Sequence, residues 1–124
     1  MSDVNVRSET ASRQCSIYPL DTQEGIELLP VADILYAEVY QHKTSFILRN
    51  GRRVQGVIPL SEVERKLKEN GFFRCHRSYL VNYLAVSKIR ANELRLVNNI
   101  TVPISKYKYK EFLSAYSEYI GVDI

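Results

Sequence analysis

The sequence contains only two cysteines and lacks every spacing that would make them a zinc site or a disulfide framework. Cys15 and Cys75 stand sixty positions apart and no CxxC pair occurs, so both thiols are expected to be reduced. No apolar run approaches the roughly 18–20 residues of a membrane span, and no basic-then-apolar leader opens the chain. These absences predict a cytoplasmic protein with no membrane partner.

Patterns that carry catalysis are also missing. The sequence has no glycine-rich phosphate loop, no histidine pair at metal-ligand spacing and no nucleophile placed beside a base. We therefore expect no enzymatic activity, no cofactor, no bound metal and no small-molecule substrate.

What is present fits one globular domain. The 124 residues are 45% hydrophobic and 25% charged, which is ordinary for a folded soluble chain of this size. Residues 1–14 are polar and show no apolar period, so they are expected to be a flexible tail or a linker remnant. Residues 15–121 are expected to form the domain.

Short apolar runs separated by turn residues predict about ten strands. Two runs, beginning at Cys15 and Gly25, precede the predicted strands 34–40, 44–49, 52–58, 72–75, 79–81, 86–89, 94–97 and 101–104. The pair Asn50-Gly51 tolerates the positive φ angles of a type I′ turn and predicts a hairpin between two of these strands.

Two helices are predicted beside the strands. The first covers residues 60–70, with Ser61 as N-cap, Glu64 completing a capping box and Gly71 ending it. The second covers residues 105–120, with Ser105 as N-cap; one face holds Tyr109, Phe112, Leu113, Tyr116 and Ile120. Because strands and helices do not alternate, we expect a mainly β sandwich with two short helices.

The basic residues are concentrated in one part of the chain. From Phe72 to Lys110 there is a single acid, Glu93, and eight basic residues, for a net charge of +7: Arg74, Arg77, Lys88, Arg90, Arg95, Lys106, Lys108 and Lys110. Tyrosines interleave with them, as they do on many nucleic-acid-binding faces. On charge alone, a solvated basic face without a partner is an equally good interpretation.

Residues 71–82, Gly-Phe-Phe-Arg-Cys-His-Arg-Ser-Tyr-Leu-Val-Asn, resemble the central motif of the LytTR family. Other landmarks follow in family order: Asp33-Ile34-Leu35-Tyr36, Gly51 in a hairpin, a Leu-Ser-Glu-Val-Glu helix, and Val102-Pro103-Ile104-Ser105-Lys106. The resemblance covers residues 30–120. It implies a β-sandwich that places several loops against double-stranded DNA, and a bacterial transcription regulator that is either free-standing or the output domain of a response regulator.

The same resemblance implies three DNA-contacting places. The first is His42 with its neighbour Lys43, in a polar loop where a plain surface histidine is the structural alternative. The second is Arg77, whose guanidinium can read guanine O6 and N7 in the major groove or bind phosphate instead. The third follows Ser105 and contains Lys106, Tyr107 and Lys108.

At the third place the family's arginine is replaced by Lys106, so lysine charge is kept without the bidentate fork. Lys106 and Lys108 are therefore predicted to bind phosphate, and the alignment leaves open which residue of this segment takes the family's contact position. His76 and Asn82 are predicted to have structural roles, His76 because it alternates with inward-facing Cys75, and Asn82 because it ends a strand.

Two other functions remain open at this point. An RNA- or single-strand-binding module would stack bases on Tyr79, Tyr83 or Tyr107. A protein-interaction domain would use the same surface without nucleic acid. For the duplex-binding function, we expect promoter repeats as the target, with a second copy of the chain on the neighbouring repeat because one small domain offers a modest interface.

Overall fold

The computed structural model describes residues 16–124. Within that range the chain forms ten strands and two α-helices, which confirms the predicted mainly β sandwich with two short helices. The predicted tail, residues 1–14, and Cys15 lie outside the described residues. No helix among the described residues is long and apolar enough to cross a membrane.

A five-stranded antiparallel sheet forms the centre of the domain. Its strands, in spatial order β5-β4-β3-β7-β6, are β3 (Ile34–Tyr40), β4 (Lys43–Leu48), β5 (Arg53–Gly56), β6 (Phe72–His76) and β7 (Tyr79–Asn82). Both faces of this sheet are covered. That explains why Phe46, Ile47 and Leu48 are all buried although successive strand residues point to opposite faces.

The first face packs against a small hairpin and a helix. Strands β1 (Ile17–Thr22) and β2 (Gly25–Pro30) pair with each other, and helix α1 (Leu60–Leu67) lies beside them. The helix buries its predicted stripe of Leu60, Val63 and Leu67. The resulting core includes Tyr18, Leu20, Leu29, Ile34, Phe46, Leu80 and the helix stripe.

The second face packs against a three-stranded sheet and the last helix. The sheet has the order β10-β9-β8, from β8 (Val86–Ile89), β9 (Glu93–Leu96) and β10 (Thr101–Pro103), and helix α2 (Tyr109–Ile120) follows. Phe112 is the fully buried residue of α2, with its ring centre 5.3 Å from that of Phe73 and 5.4 Å from that of Tyr116. Ile120, predicted for the same face, is exposed.

The predicted capping box on α1 is wrong. The helix begins at Leu60, with Pro59 at the N-cap position two residues before the predicted cap Ser61, and no side chain caps it. Ser61 then lies inside the helix, and Glu64 makes an ion pair with Arg74 on β6 instead of reaching back to the helix start. The fixed φ of Pro59 and the burial of Leu60 explain the earlier start.

The hairpin at Asn50-Gly51 is where the sequence predicts it, but its turn is not type I′. Within it only Gly51 has a positive φ, 89°. The Gly51 amide donates to the Leu48 carbonyl and the Leu48 amide donates to the Arg52 carbonyl. This is a type I turn followed by a left-handed glycine, a three-residue loop that twists the strands correctly without a second positive φ.

Two other boundaries differ from prediction. The helix predicted from Ser105 begins as a 3₁₀ turn, Lys106–Lys108, and the Ser105 side chain makes no capping hydrogen bond. The strand predicted over 52–58 ends at Gly56, where β5 passes close to β1. A Cβ at this position would stand 2.6 Å from the Asp21 carbonyl oxygen, so only glycine fits.

Asn82 has the structural role predicted for it. Its side chain is 3% exposed; Nδ2 donates to the Ile34 carbonyl at 2.9 Å and Oδ1 accepts from the Leu84 amide at 3.0 Å. One amide therefore joins the end of β7 to the start of β3.

We predict that Asn82→Ala lowers the free energy of unfolding by about 2–3 kcal/mol, because a buried carbonyl and an amide both lose their partner. Asn98→Ala is the matched control, since its exposed Oδ1 accepts from the Ile100 amide at 3.1 Å in a similar turn. That change should cost less than about 1 kcal/mol. Urea denaturation measures both, and equal losses would contradict the assigned role of Asn82.

Candidate nucleic-acid interface

Two hairpin turns that carry predicted contacts lie at the same end of the central sheet. Gln41-His42 joins β3 to β4, and Arg77-Ser78 joins β6 to β7. Because β3 pairs with β7, with Glu38 opposite Tyr79, the turns are neighbours, and the Val39 amide donates to the Ser78 carbonyl at 3.0 Å. Two strand spacings separate their centres by about 10 Å.

Two further loops reach this end from the three-stranded sheet. The Ser105 amide donates to the Cys75 carbonyl at 2.7 Å, which places Lys106–Lys108 beside the end of β6. The Ile104 amide donates to the Asn92 carbonyl at 3.3 Å, which brings the β8–β9 turn, residues 90–92, to the same place. We call the four loops, residues 41–43, 77–78, 90–92 and 105–108, the loop end.

Arg90 is the residue of the loop end that sequence reasoning missed. It is exposed at the β8–β9 turn, and in the sequence only its positive charge indicated a role in binding. The position of the Arg90 turn is determined by the hydrogen bond from the Ile104 amide to the Asn92 carbonyl. No sequence pattern predicts that these two segments are in contact.

His42 is exposed on a strained turn. Gln41 and His42 have φ values of 50° and 69°, so both central residues of this two-residue turn are left-handed without being glycine. This is the type I′ geometry that the sequence predicted for Asn50-Gly51. A two-residue hairpin loop of this type needs positive φ at both positions, and this costs backbone strain where neither residue is glycine. Lys43, the first residue of β4, is exposed beside it.

Arg77 is exposed, and its guanidinium makes no hydrogen bond or ion pair with any other residue in 16–124. Its backbone, by contrast, is held. The Ser78 amide donates to His76 Nδ1 at 3.1 Å, and the Arg77 carbonyl accepts from the Arg74 guanidinium. His76 therefore has the structural role predicted for it, and Arg77 is a free cationic fork on an ordered turn.

In the segment after Ser105, some side chains face solvent and one contacts the protein. Lys106 is exposed and Tyr107 is 90% exposed. Lys108 is directed back onto the domain: its Nζ lies 5.9 Å from the centre of the Phe73 ring and 3.7 Å from Glu111 Oε1. Five of the six predicted site residues are exposed at the loop end: His42, Lys43, Arg77, Lys106 and Tyr107. The sixth, Lys108, contacts the protein itself.

Most of the concentrated positive charge is uncompensated. Of the eight basic residues between Phe72 and Lys110, Arg74 and Lys108 are in ion pairs. The other six have no ion pair with the described part of the chain: Arg77, Lys88, Arg90, Arg95, Lys106 and Lys110. Lys88 and Arg95 lie opposite each other on β8 and β9 and are exposed. Unpaired charge of one sign produces a potential that attracts polyanions.

The tyrosines considered for base stacking are not equally available. Tyr83 is buried, with its ring centre 4.8 Å from that of Tyr119, and burial raises its pKa to about 12. Tyr79 packs against the rings of Tyr36 and His76, and burial followed by the negative charge of Glu38 raises its pKa. Only Tyr107, of these three, presents an open ring.

Cys75 is a core residue. Its thiol is fully buried, Sγ donates to the Pro103 carbonyl at 3.4 Å, and burial raises its pKa to about 12. At neutral pH the sulfur stays protonated, so it is a poor nucleophile. Within residues 16–124 no three His, Cys, Asp or Glu side chains are grouped so that they could hold a metal ion.

Comparison with known sequences gives a consistent set of relatives. The LytTr DNA-binding domain family matches residues 24–117. The transcriptional regulatory protein YpdB of Escherichia coli K12 is 38% identical over 114 residues, covering 83% of this chain and 44% of that protein, and YpdB of Shigella flexneri gives the same values. The chain thus spans less than half the length of these relatives.

A solved structure shares the fold. The LytTr DNA-binding domain of a methyl-accepting/DNA response regulator from Bacillus cereus superimposes with a TM-score of 0.69 at 26% sequence identity. The match covers 86% of this chain and 98% of that one.

The strained turn at His42 leads to a prediction about stability. A non-glycine residue in the left-handed region costs about 1–2 kcal/mol, and glycine costs roughly 0.5–1 kcal/mol in chain entropy. Both Gln41→Gly and His42→Gly should therefore raise the free energy of unfolding, by about 0.5 kcal/mol each. Lys43→Gly, in extended backbone, should lower it. The free energy of unfolding is measured by thermal or urea denaturation. A lower value for both Gln41→Gly and His42→Gly would show that this turn is not strained.

Proposed function

The chain belongs to the LytTR family of DNA-binding domains, and from that premise we propose that it reads a specific duplex sequence with its loop end. The observation that carries this proposal is the free Arg77 guanidinium on an ordered turn, beside the exposed His42 turn, on a surface of unpaired positive charge. The family-level role is DNA-binding transcription regulation; the residues assigned below are proposals.

Arg77 and His42 supply the sequence reading in this proposal. An arginine fork donates two parallel hydrogen bonds to guanine O6 and N7, the most common specific contact in the major groove. A neutral imidazole makes one directed hydrogen bond to a base edge. The Gln41-His42 turn extends past the strand ends, which supports access of this ring to a groove.

Lys43, Lys106 and Arg90 supply attraction to phosphates. Each is exposed and has no ion pair with the described residues, so its charge is available to a polyanion. Tyr107 is placed to add a hydroxyl contact to the backbone or the sugar. Lys108 is proposed to contribute less than the sequence suggested, because its ammonium group already lies near the Phe73 ring and the Glu111 carboxylate.

A duplex partner is favoured over single-stranded nucleic acid by the packing of the tyrosines. A stacking surface needs several open rings along a groove, and Tyr79 and Tyr83 are packed into the domain. We propose no catalytic role, because the domain acts by binding and its buried thiol stays protonated.

We propose that the chain regulates transcription in a bacterium, either free-standing or as the output domain of a response regulator. The support is the relatives, which are named as transcriptional regulatory proteins, and the matched structure, which comes from a response regulator. The relatives' remaining length leaves room for a separate input domain in them.

Two substitutions separate base reading from phosphate binding. Arg77→Ala should lower affinity for the preferred duplex by roughly 1–3 kcal/mol more than for random duplex, because a bidentate base contact is lost. Lys106→Ala should weaken both duplexes equally and reduce the slope of log affinity against log salt by about one unit. Competition binding at several salt concentrations measures both effects, once a preferred site has been selected from a random duplex pool.

The matched controls come from the same loops. Lys108→Ala should change the salt slope less than Lys106→Ala, since Lys108 is already paired. Gln41→Gly should keep the preference for the selected site, whereas His42→Gly should reduce it. Equal losses on selected and random duplex for Arg77→Ala would leave Arg77 as a phosphate contact only, and a flat salt response would count against DNA as the partner.

We further propose that two copies of the chain occupy spaced repeats of one short site. A domain of this size buries on the order of 1,000 Å² against DNA, which limits the affinity of a single copy. Titration of duplexes with one or two half-sites should show tighter binding to the pair and a stoichiometry of two. Equal affinity for the single half-site would remove the reason for a second copy.

A further inference from the structure

Arg74 is the basic residue of the central motif that turns inward. Its side chain is 21% exposed, and all three of its nitrogen groups donate within the protein. Nε donates to the His76 carbonyl at 3.1 Å, Nη2 donates to the Arg77 carbonyl, and Nη1 donates to Glu64 Oε1 at 2.9 Å. The guanidinium thus binds two successive carbonyls of the Arg77 turn and one carboxylate on α1.

The backbone of β6 makes these contacts geometrically accessible. The pairing of β6 with β7 shifts register between Arg74 and His76, so Cys75 is the extra residue of a β-bulge. Cys75 points into the core with its thiol fully buried, which anchors the bulge from the opposite side. The bend directs the carbonyls of His76 and Arg77 toward the Arg74 side chain.

We propose that Arg74 is a positioning residue for Arg77, and that Glu64 holds Arg74 in place from helix α1. The inference rests on the proposed function, because it needs Arg77 to read a base. A long side chain can deliver two parallel hydrogen bonds only from a backbone of fixed direction.

The alternative, a direct phosphate contact by Arg74, is disfavoured by the same geometry. A guanidinium has five N–H donors, and here Nε and both terminal nitrogens already have acceptors. Its charge is also balanced by Glu64. Arg74 therefore differs from Arg77, Arg90 and Lys106, which have no such partners.

The first test compares two carboxylates on the same helix. Glu64 and Glu62 each have side chains 41% exposed, but Glu62 contacts only Arg65, at 3.8 Å, in the described part of the chain. Removing either changes the net charge equally, so Glu64→Ala and Glu62→Ala should strengthen random-duplex binding to the same small extent. Glu64→Ala alone should lower the ratio of selected-site to random affinity, by roughly three- to tenfold.

The second test keeps the charge of Arg74 and removes its fork. Arg74→Lys should lower the same ratio by a similar factor, since one ammonium nitrogen cannot take the three separate positions from which Nε, Nη1 and Nη2 donate. In an Arg77→Ala background, Arg74→Lys should have no further effect on the ratio, because a positioning residue acts through the residue it positions. Thermal denaturation of each variant shows that it is folded.

Amide hydrogen exchange of the free protein gives a readout independent of DNA. The Arg77 and Ser78 amides should exchange faster in Glu64→Ala and Arg74→Lys, and unchanged in Glu62→Ala. An unchanged ratio in Glu64→Ala and Arg74→Lys, with Arg77→Ala still lowering it, would overturn the positioning role alone. No effect of Arg77→Ala on the ratio would overturn the reading role proposed for Arg77, and the positioning inference with it.

Discussion

The burial of the central sheet on both faces is the constraint on which the rest of this domain depends. Tyr36 and Val81 belong to the core on one face, and Ala37 and Leu80 belong to the core on the other face. A slip of one residue between β3 and β7 would move side chains from one core into the other. The register of these strands is therefore fixed by packing on two sides. Because the turns lie at the ends of strands in fixed register, His42 and Arg77 are neighbours in every folded molecule.

Polar groups within this apolar frame are placed where strands end. The Thr44 hydroxyl donates to the Ile58 carbonyl at 2.6 Å, and Asn82 joins the end of β7 to the start of β3. Arg74 does the same for the turn at Arg77. A buried backbone carbonyl without a partner is costly, so the bonds made by Thr44 and Asn82 each favour one loop conformation. Arg74 adds charge-assisted hydrogen bonds at the more exposed Arg77 turn.

The loop end combines an ordered backbone with side chains that the protein leaves unsatisfied. His42 is held in a left-handed conformation that few residues adopt, and the Arg77 guanidinium has no partner in the described chain. Charges that face the protein, such as Lys108 and Arg74, are instead balanced by Glu111 and Glu64. The interface proposed for the loop end would need little reorganisation on binding, because its loops are already folded and only side-chain conformations would have to change.

The sequence by itself determined the strands, both helices and the structural roles of Asn82 and His76, because these depend on local periodicity and on residue chemistry. It also located the hairpin at Gly51 and the concentration of positive charge. Its motif order identified the family, which the comparisons confirm.

Only the tertiary structure decided how those pieces act together. It brought the turn at residues 90–92 against Ile104 and directed Lys108 onto Phe73. It also paired Glu64 with Arg74, where the sequence predicted a helix cap. The type I′ turn is found at Gln41-His42, whereas the sequence predicted it at Asn50-Gly51. The physical reason is that each outcome depends on strand pairing or packing between segments distant in sequence, and their interaction energies exceed the local preferences that a sequence pattern reports.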